Sequence, residues 1–274
     1  LWAGSGENSL QKQLPGSDTW QDAEGLPDYV RLVESDGQTH LYTAGRTGRF
    51  FFSSDAGSSW DNLPATPAFN ASYDLLTNRF GHVFLATDIG LCRSTTRGVT
   101  WETITEGIGP HFLQSLGSSP DNILFGGSPT DGVYKSDDNG LLWLATNLPP
   151  HPVRAIAAFD SRILLAGTAS GFLFLSEDGG QNWRNSEIAL EEAPINFLLI
   201  LDEKAVLLGS LGAGAWLSED RGDSWREVNR GLGDLNLISG AYDPHSATIW
   251  LGSAGRGVFE GDFTLLKEYA PSTR

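Results

Sequence analysis

The chain has 274 residues, 40% of them hydrophobic, and its 18 basic and 34 acidic residues give a formal net charge of −16. A field of that sign repels phosphate backbones and argues against a nucleic-acid partner. The single cysteine, Cys92, excludes an internal disulfide and a cysteine-based metal site, and no apolar run reaches the roughly 20 residues of a membrane-spanning helix.

In chain order the sequence is a succession of similar units that recur with a period of about 40–45 residues. That is the period of propeller blades made of four short strands. The first unit, 1–27, opens on an apolar strand at 1–4 and closes on Trp20, so its innermost strand is missing. The second, 28–70, has a strand at 41–45 followed by Ser53-Ser54-Asp55-Ala56-Gly57-Ser58-Ser59-Trp60. The third, 71–110, has its strand at 83–87 and repeats the skeleton as Ser94, Thr96, Gly98 and Trp101. The fourth, 111–150, follows a strand at 123–127 with Ser136, Asp138, Gly140 and Trp143.

The fifth unit, 151–193, displays the order within a blade. Strands near 153–159, 163–167 and 172–175 precede a turn with Ser176, Asp178 and Gly180, and a last strand starts at Trp183. Turn-forming residues separate them. The sixth, 194–235, has a strand at 206–209 and then Ser218, Asp220, Gly222 and Trp225. The seventh, 236–274, has strands at 249–252 and 257–259 and a predicted strand over 263–270, with no recognisable turn motif. The C-terminal segment is expected to pair with the incomplete first blade. The five tryptophans lie 41, 42, 40 and 42 residues apart. A repeat held in register five times specifies the architecture: an all-β chain forming a single seven-bladed propeller over 1–274.

The motif has a local purpose. An aspartate can accept backbone N–H bonds across a turn, which Thr96 imitates only in part. The glycine permits positive φ, and the tryptophan buries its ring between strands. Each motif carries one carboxylate on its own blade, so Asp55, Asp138, Asp178 and Asp220 are read as turn residues and not as a metal or catalytic set.

These residues resemble the Asp-box, or BNR, repeat family over nearly the whole chain. The family includes sialidases, xyloglucan-cleaving glycosidases, sortilin-type receptors and photosystem II stability or assembly factors. The resemblance implies the shared architecture and does not select among those functions. It also implies that the boxes lie on the face opposite the usual binding site, which directs attention to the strand 2–3 loops, the inter-blade loops and the channel rim.

Aligned on the second strand of each unit, one position is polar throughout. Arg31 lies 14 residues before Gly45, while Asp74, Gln114, Arg154, Asn196 and Ser239 each lie 13 before the matching strand end. They fall near the start of the innermost strand and are expected to ring one channel mouth. Two arginines, a carboxylate and three neutral hydrogen-bonding groups suit an anionic or sugar-like ligand. The structural alternative is a solvated polar lining. His111 and His151 precede the first strands of adjacent units, and His40 and His82 the second strands, without a third ligand for a metal. Arg46, Arg49 and Arg256 decorate strand 2–3 loops. Cys92 reads as a small core residue, and Asn70-Ala71-Ser72 is a lone glycosylation sequon.

A glycoside hydrolase generally requires two facing carboxylates, and the polar set supplies only Asp74. Loop acids such as Asp28, Asp88, Asp131, Glu191 and Glu192 are not paired by spacing. The expected function is therefore a non-catalytic binding or scaffold propeller that mediates protein–protein interaction or complex assembly, without cofactor or metal. The alternative is a carbohydrate-binding or hydrolytic propeller acting at the channel mouth. The habit of the family, with a chain that opens on Leu1 and contains no methionine, points to a processed or trimmed N-terminus, or one that begins before Leu1, and to an extracytoplasmic location.

Overall fold

The computed structural model describes residues 2–268 except 4–9, 14–18, 27–29, 46–48, 64–68, 109–111, 189 and 191, with only the backbone of Arg31 and Glu268. Seven antiparallel sheets follow one another along the chain, each a meander in which sequence neighbours pair. They span 2–22, 30–63, 72–104, 115–145, 153–185, 195–227 and 237–262, here blades 1 to 7. Blades 2 to 6 have four strands, whereas blades 1 and 7 have three. The fold is a seven-bladed β-propeller.

The second strands explain why their sequences read as continuous apolar runs. Leu41–Gly45, Val83–Thr87, Leu164–Thr168 and Val206–Ser210 are buried at every position. Packed on both faces, such strands have no solvent side on which a polar residue could alternate. Fourth strands show the opposite pattern: Leu144–Ala145 and Arg184–Asn185 are exposed at both positions.

The chain divides into two compact units, Leu1–Leu116 with Ser136–Leu144, and Gly117–Lys135 with Ala145–Arg274. The dividing line runs through blade 4. In the first unit Tyr42, Ala44 and Phe50 of blade 2 pack with Leu75, Val83, Leu85 and Cys92 of blade 3. In the second, Leu165, Leu173 and Leu175 of blade 5 meet Ile195, Val206 and Leu208 of blade 6. A further cluster joins Leu207 and Leu217 of blade 6 to Leu237, Ile249 and Leu251 of blade 7.

The strand expected over 263–270 is absent. Residues Phe263–Glu268 form a short helix, and the rest of that segment lies outside the described residues. Asp262 initiates the helix, its Oδ1 accepting the N–H of Thr264 at 2.7 Å. Phe263 is buried in the blade 6–7 cluster, and Lys267 pairs with Asp202 at 2.6 Å. These anchors hold the segment on its own unit as a helix. Among the described residues the first sheet is β1–β2–β3, formed by Trp2–Ala3, Gln11–Gln13 and Trp20–Asp22, with no C-terminal strand added.

Candidate functional site

The boxes are turn clasps. In blades 2, 4, 5 and 6 the serine Oγ donates to the aspartate Oδ1, as Ser53 to Asp55, Ser136 to Asp138 and Ser218 to Asp220 at 2.8 Å and Ser176 to Asp178 at 3.0 Å. The same Oγ accepts the glycine N–H at 2.8–2.9 Å. The aspartate accepts the N–H four residues on, from Ser59, Leu142, Asn182 or Ser224. The glycines Gly57, Gly98, Gly140, Gly180 and Gly222 all have positive φ. The residue before each is left-handed as well, and in four of the five boxes it is not glycine: Ala56, Arg97, Asn139 and Arg221. Trp101, Trp143, Trp183 and Trp225 donate Nε1–H to the box glycine carbonyl at 2.9–3.1 Å. Trp60 instead meets Trp2 edge to face at 5.8 Å.

Thr96 reproduces the central contact with one oxygen: its Oγ1 accepts the Thr100 N–H at 2.8 Å. It lacks the second oxygen. Dense donation holds the Asp55 carboxyl down at about 2, chiefly through the Ser59 hydroxyl and N–H. Asp138 Oδ1 accepts the N–H groups of Leu141 and Leu142 at 3.0 Å, so Asp138→Ala should cost about 1 kcal/mol in urea denaturation, as for a lost capping group. Asp138→Thr should recover most of that loss, because blade 3 already folds with threonine at this place. Equal losses for both would contradict the clasp role.

The six polar positions divide between the units. Arg31, Asp74 and Gln114 lie in the first, and Arg154, Asn196 and Ser239 in the second. The strand pairings reveal why the position is polar. Val30 pairs with Gly45 and Leu32 with Ala44, Val153 with Thr168 and Ala155 with Gly167, and Ile195 with Ser210 and Phe197 with Gly209. Arg31, Arg154 and Asn196 are thus the extra residues of β-bulges, which re-aim a side chain out of the ladder. In blades 3 and 7 the pairings step from Ser72 to Asp74 and from Leu237 to Ser239, so Tyr73 and Ile238 are the bulged residues. Asp74 and Ser239 sit one residue later than Arg31, Arg154 and Asn196. Alignment on Thr87 introduced the offset in blade 3, because Thr87 matches Thr168 and not Gly167; in blade 7 one additional hairpin residue did so.

Asp74 and Asn196 each tie one blade to the next. Asp74 Oδ2 accepts the Leu116 N–H at 2.7 Å and Oδ1 that of Leu75 at 2.9 Å. Asn196 Nδ2 donates to the Leu237 carbonyl at 2.7 Å. Glu34 works in the same way, its Oε1 accepting the N–H and Oγ1–H of Thr77 at 3.0 and 3.1 Å. The polar alignment missed Glu34, because it lies three residues past the bulge. Arg154 and Ser239 are exposed and Gln114 is half-buried, whereas the Arg31 side chain lies outside the described residues. Tyr73 stacks on Phe112 at 5.1 Å.

Desolvation raises the Glu34 carboxyl to about 7 and that of Asp74 to about 6. The folded state therefore binds these protons more tightly than the unfolded chain. Stability from this pair is greatest below the unfolded values and falls as pH rises through about 6 to 7. The melting temperature should drop between pH 5 and pH 8, and Glu34→Gln with Asp74→Asn should flatten that slope. A melting temperature that rises over the same interval in the unsubstituted chain would contradict this.

Other candidates are engaged locally. His40 Nδ1 lies 2.5 Å from Asp36 Oδ2, burial lowers the His82 imidazole, and His151 packs on Phe174 at 4.8 Å. His111, Arg46, Asp28 and Glu191 lie outside the described residues; Arg49 and Arg256 are exposed. Asp88 accepts hydrogen bonds from Asn70 and Ala71. Cys92 is fully buried. Among the described residues no group of three or more His, Cys, Asp or Glu is placed to hold a metal ion, and no helix is long and apolar enough to cross a membrane.

No family model matches the chain. It is 26% identical over 151 residues to a xyloglucanase of Hypocrea jecorina, covering 52% of this chain. It is 29% identical over 143 residues to a probable oligoxyloglucan-reducing end-specific xyloglucanase of Neosartorya fischeri, covering 46%. The matched stretch spans only 18% of either relative. Among solved structures, YCF48 bound to a D1 peptide is similar with a TM-score of 0.69 and 17% identity, covering 94% of this chain and 88% of that one. The GH74 enzyme of Niastella koreensis gives 0.77 and 16%, covering 95% and 50%. The extracellular domain of a one-component system from B. thetaiotaomicron gives 0.75 and 16%, covering 95% and 36%. Identities this low carry the fold alone, and with five boxes in register that fold is a BNR-type seven-bladed β-propeller.

Proposed function

We propose that this propeller is a non-catalytic binding or scaffold module that acts on a protein partner outside the cytoplasm. The observation that carries the reading is the engagement of the inner-strand carboxylates. Asp74 holds the amides of Leu75 and Leu116, and Glu34 holds Thr77. Committed to joining blades, this pair does not supply the two facing carboxylates of a glycosidase, although raised pKa values such as theirs also suit a proton donor. A similar propeller is named with a bound peptide, and another is an extracellular domain, which supports the partner class and the location.

The test is capture of the tagged chain with its partner, followed by co-elution of the two purified proteins on size exclusion. A stoichiometric complex is the expected result. Failure of any captured protein to co-elute, together with release of sugar from xyloglucan, would replace this reading with the hydrolytic one. That second reading is favoured by the identity shared with two xyloglucan-cleaving relatives.

A further inference from the structure

A cavity of about 480 Å³ lies at the third and fourth strands of blade 6, where the connections from blade 5 and to blade 7 pass. That is within the roughly 300–1,000 Å³ range of ligand pockets. Trp216 and Glu227 line it and pair directly across the two strands, which places their side chains on one face. Glu192 lines it from the blade 5 side, and Leu211 and Leu235, each 38% exposed, complete its apolar wall.

The neutral polar groups of the cavity are already used. Trp216 Nε1 donates to the Ala213 carbonyl at 3.1 Å. The Oδ1 of Asn229 accepts the Ala215 N–H at 2.7 Å, and its Nδ2 donates to Ala213 at 3.2 Å. The carboxylates of Glu192 and Glu227 make no hydrogen bond or ion pair among the described residues. What the cavity offers a ligand is therefore two anionic acceptors beside an indole and aliphatic surface. A sugar hydroxyl both donates and accepts, and here only its donation finds a protein partner. A guanidinium or ammonium only donates, lays its apolar stem on leucine, and is attracted to an aromatic face. The net charge of −16 favours approach of such a group.

We propose that this cavity binds an arginine or lysine side chain of a partner polypeptide. The proposal rests on the protein-binding reading above and supplies the chemistry by which the partner is held.

The test is fluorescence anisotropy of a dansyl-labelled Gly-Arg-Gly-Arg-Gly peptide with the full chain. Saturable binding is expected, weakened about tenfold or more by Glu192→Gln with Glu227→Gln. A control pair in the same unit, Glu177→Gln with Glu203→Gln, should change it by less than about twofold. Glutamine is nearly isosteric with glutamate, and melting curves of all variants check that the fold is kept. The peptide with glutamine in place of arginine should not bind.

No saturable binding, or equal weakening by both variant pairs, would overturn the proposal, the second by showing a diffuse acidic surface. So would uptake of a neutral xyloglucan oligosaccharide in place of the peptide. If peptide binding fails while the chain still co-elutes with a captured protein, the cavity assignment alone is lost. If the chain cleaves xyloglucan, the binding reading falls with it.

Discussion

Trp143→Ala is expected to remove about 3–5 kcal/mol of stability. Trp143 is fully buried, whereas the other four box tryptophans are only partly so. Its indole N–H donates to the Gly140 carbonyl at 3.1 Å, and its backbone N–H donates to the Glu106 carbonyl at 3.2 Å. Truncation leaves a ring-sized void and removes the partner of Gly140. Urea denaturation of Trp143→Ala beside Trp183→Ala separates burial from motif membership. If the two lose equal stability, the box itself and not the depth of the ring sets the cost.

Gly107→Ala is expected to cost about 3 kcal/mol or more, although it adds a single methyl group. Gly107 has φ +80°, in the left-handed region. A Cβ there would stand 1.7 Å from the Trp143 carbonyl oxygen. Backbone strain and a clash with main chain act together, and no side-chain rotation relieves either. The control is Gly81→Ala: Gly81 has φ +73° but nothing within 4 Å of a Cβ. It isolates the strain, so its melting temperature should fall by much less. Comparable losses would remove the contact from the explanation. Because Gly107 and Trp143 touch, the double variant is expected to be non-additive.

The architecture was legible because the boxes repeat in register and each contains its own chemistry. Serine, aspartate and glycine close a turn within one blade, so nothing distant had to be inferred. The same locality made the role of Thr96 readable. The residue before each box glycine was not readable: Ala56, Arg97 and Arg221 carry no sign of a left-handed backbone, which the clasp around them imposes. The C-terminal segment was misread because its apolar residues fit a strand, while the cap from Asp262 and the Lys267–Asp202 pair act only in the folded chain.

The polar inner position was half legible. Spacing found Arg31, Arg154 and Asn196 at the bulge, but Asp74 and Ser239 came out one residue late. A bulge inserts an extra residue that counting along the chain does not reveal. Nor could spacing show that the Asp74 oxygens are taken by Leu75 and Leu116, the latter 42 residues away. Glu34 escaped for the same reason, since its importance lies in a contact with Thr77 on the next blade. The acceptor-only cavity at Trp216 required three pieces of the chain to meet, and no motif marks it.

The most direct test of the central claim is a reducing-sugar assay with polymeric xyloglucan, run on the intact chain beside Asp74→Asn and Glu34→Gln. A propeller that spends these carboxylates on joining its blades should release no reducing ends above the substrate blank, in any of the three. Steady release by the intact chain, lost in either variant, would contradict the account, because the inner-strand acids would then be performing chemistry.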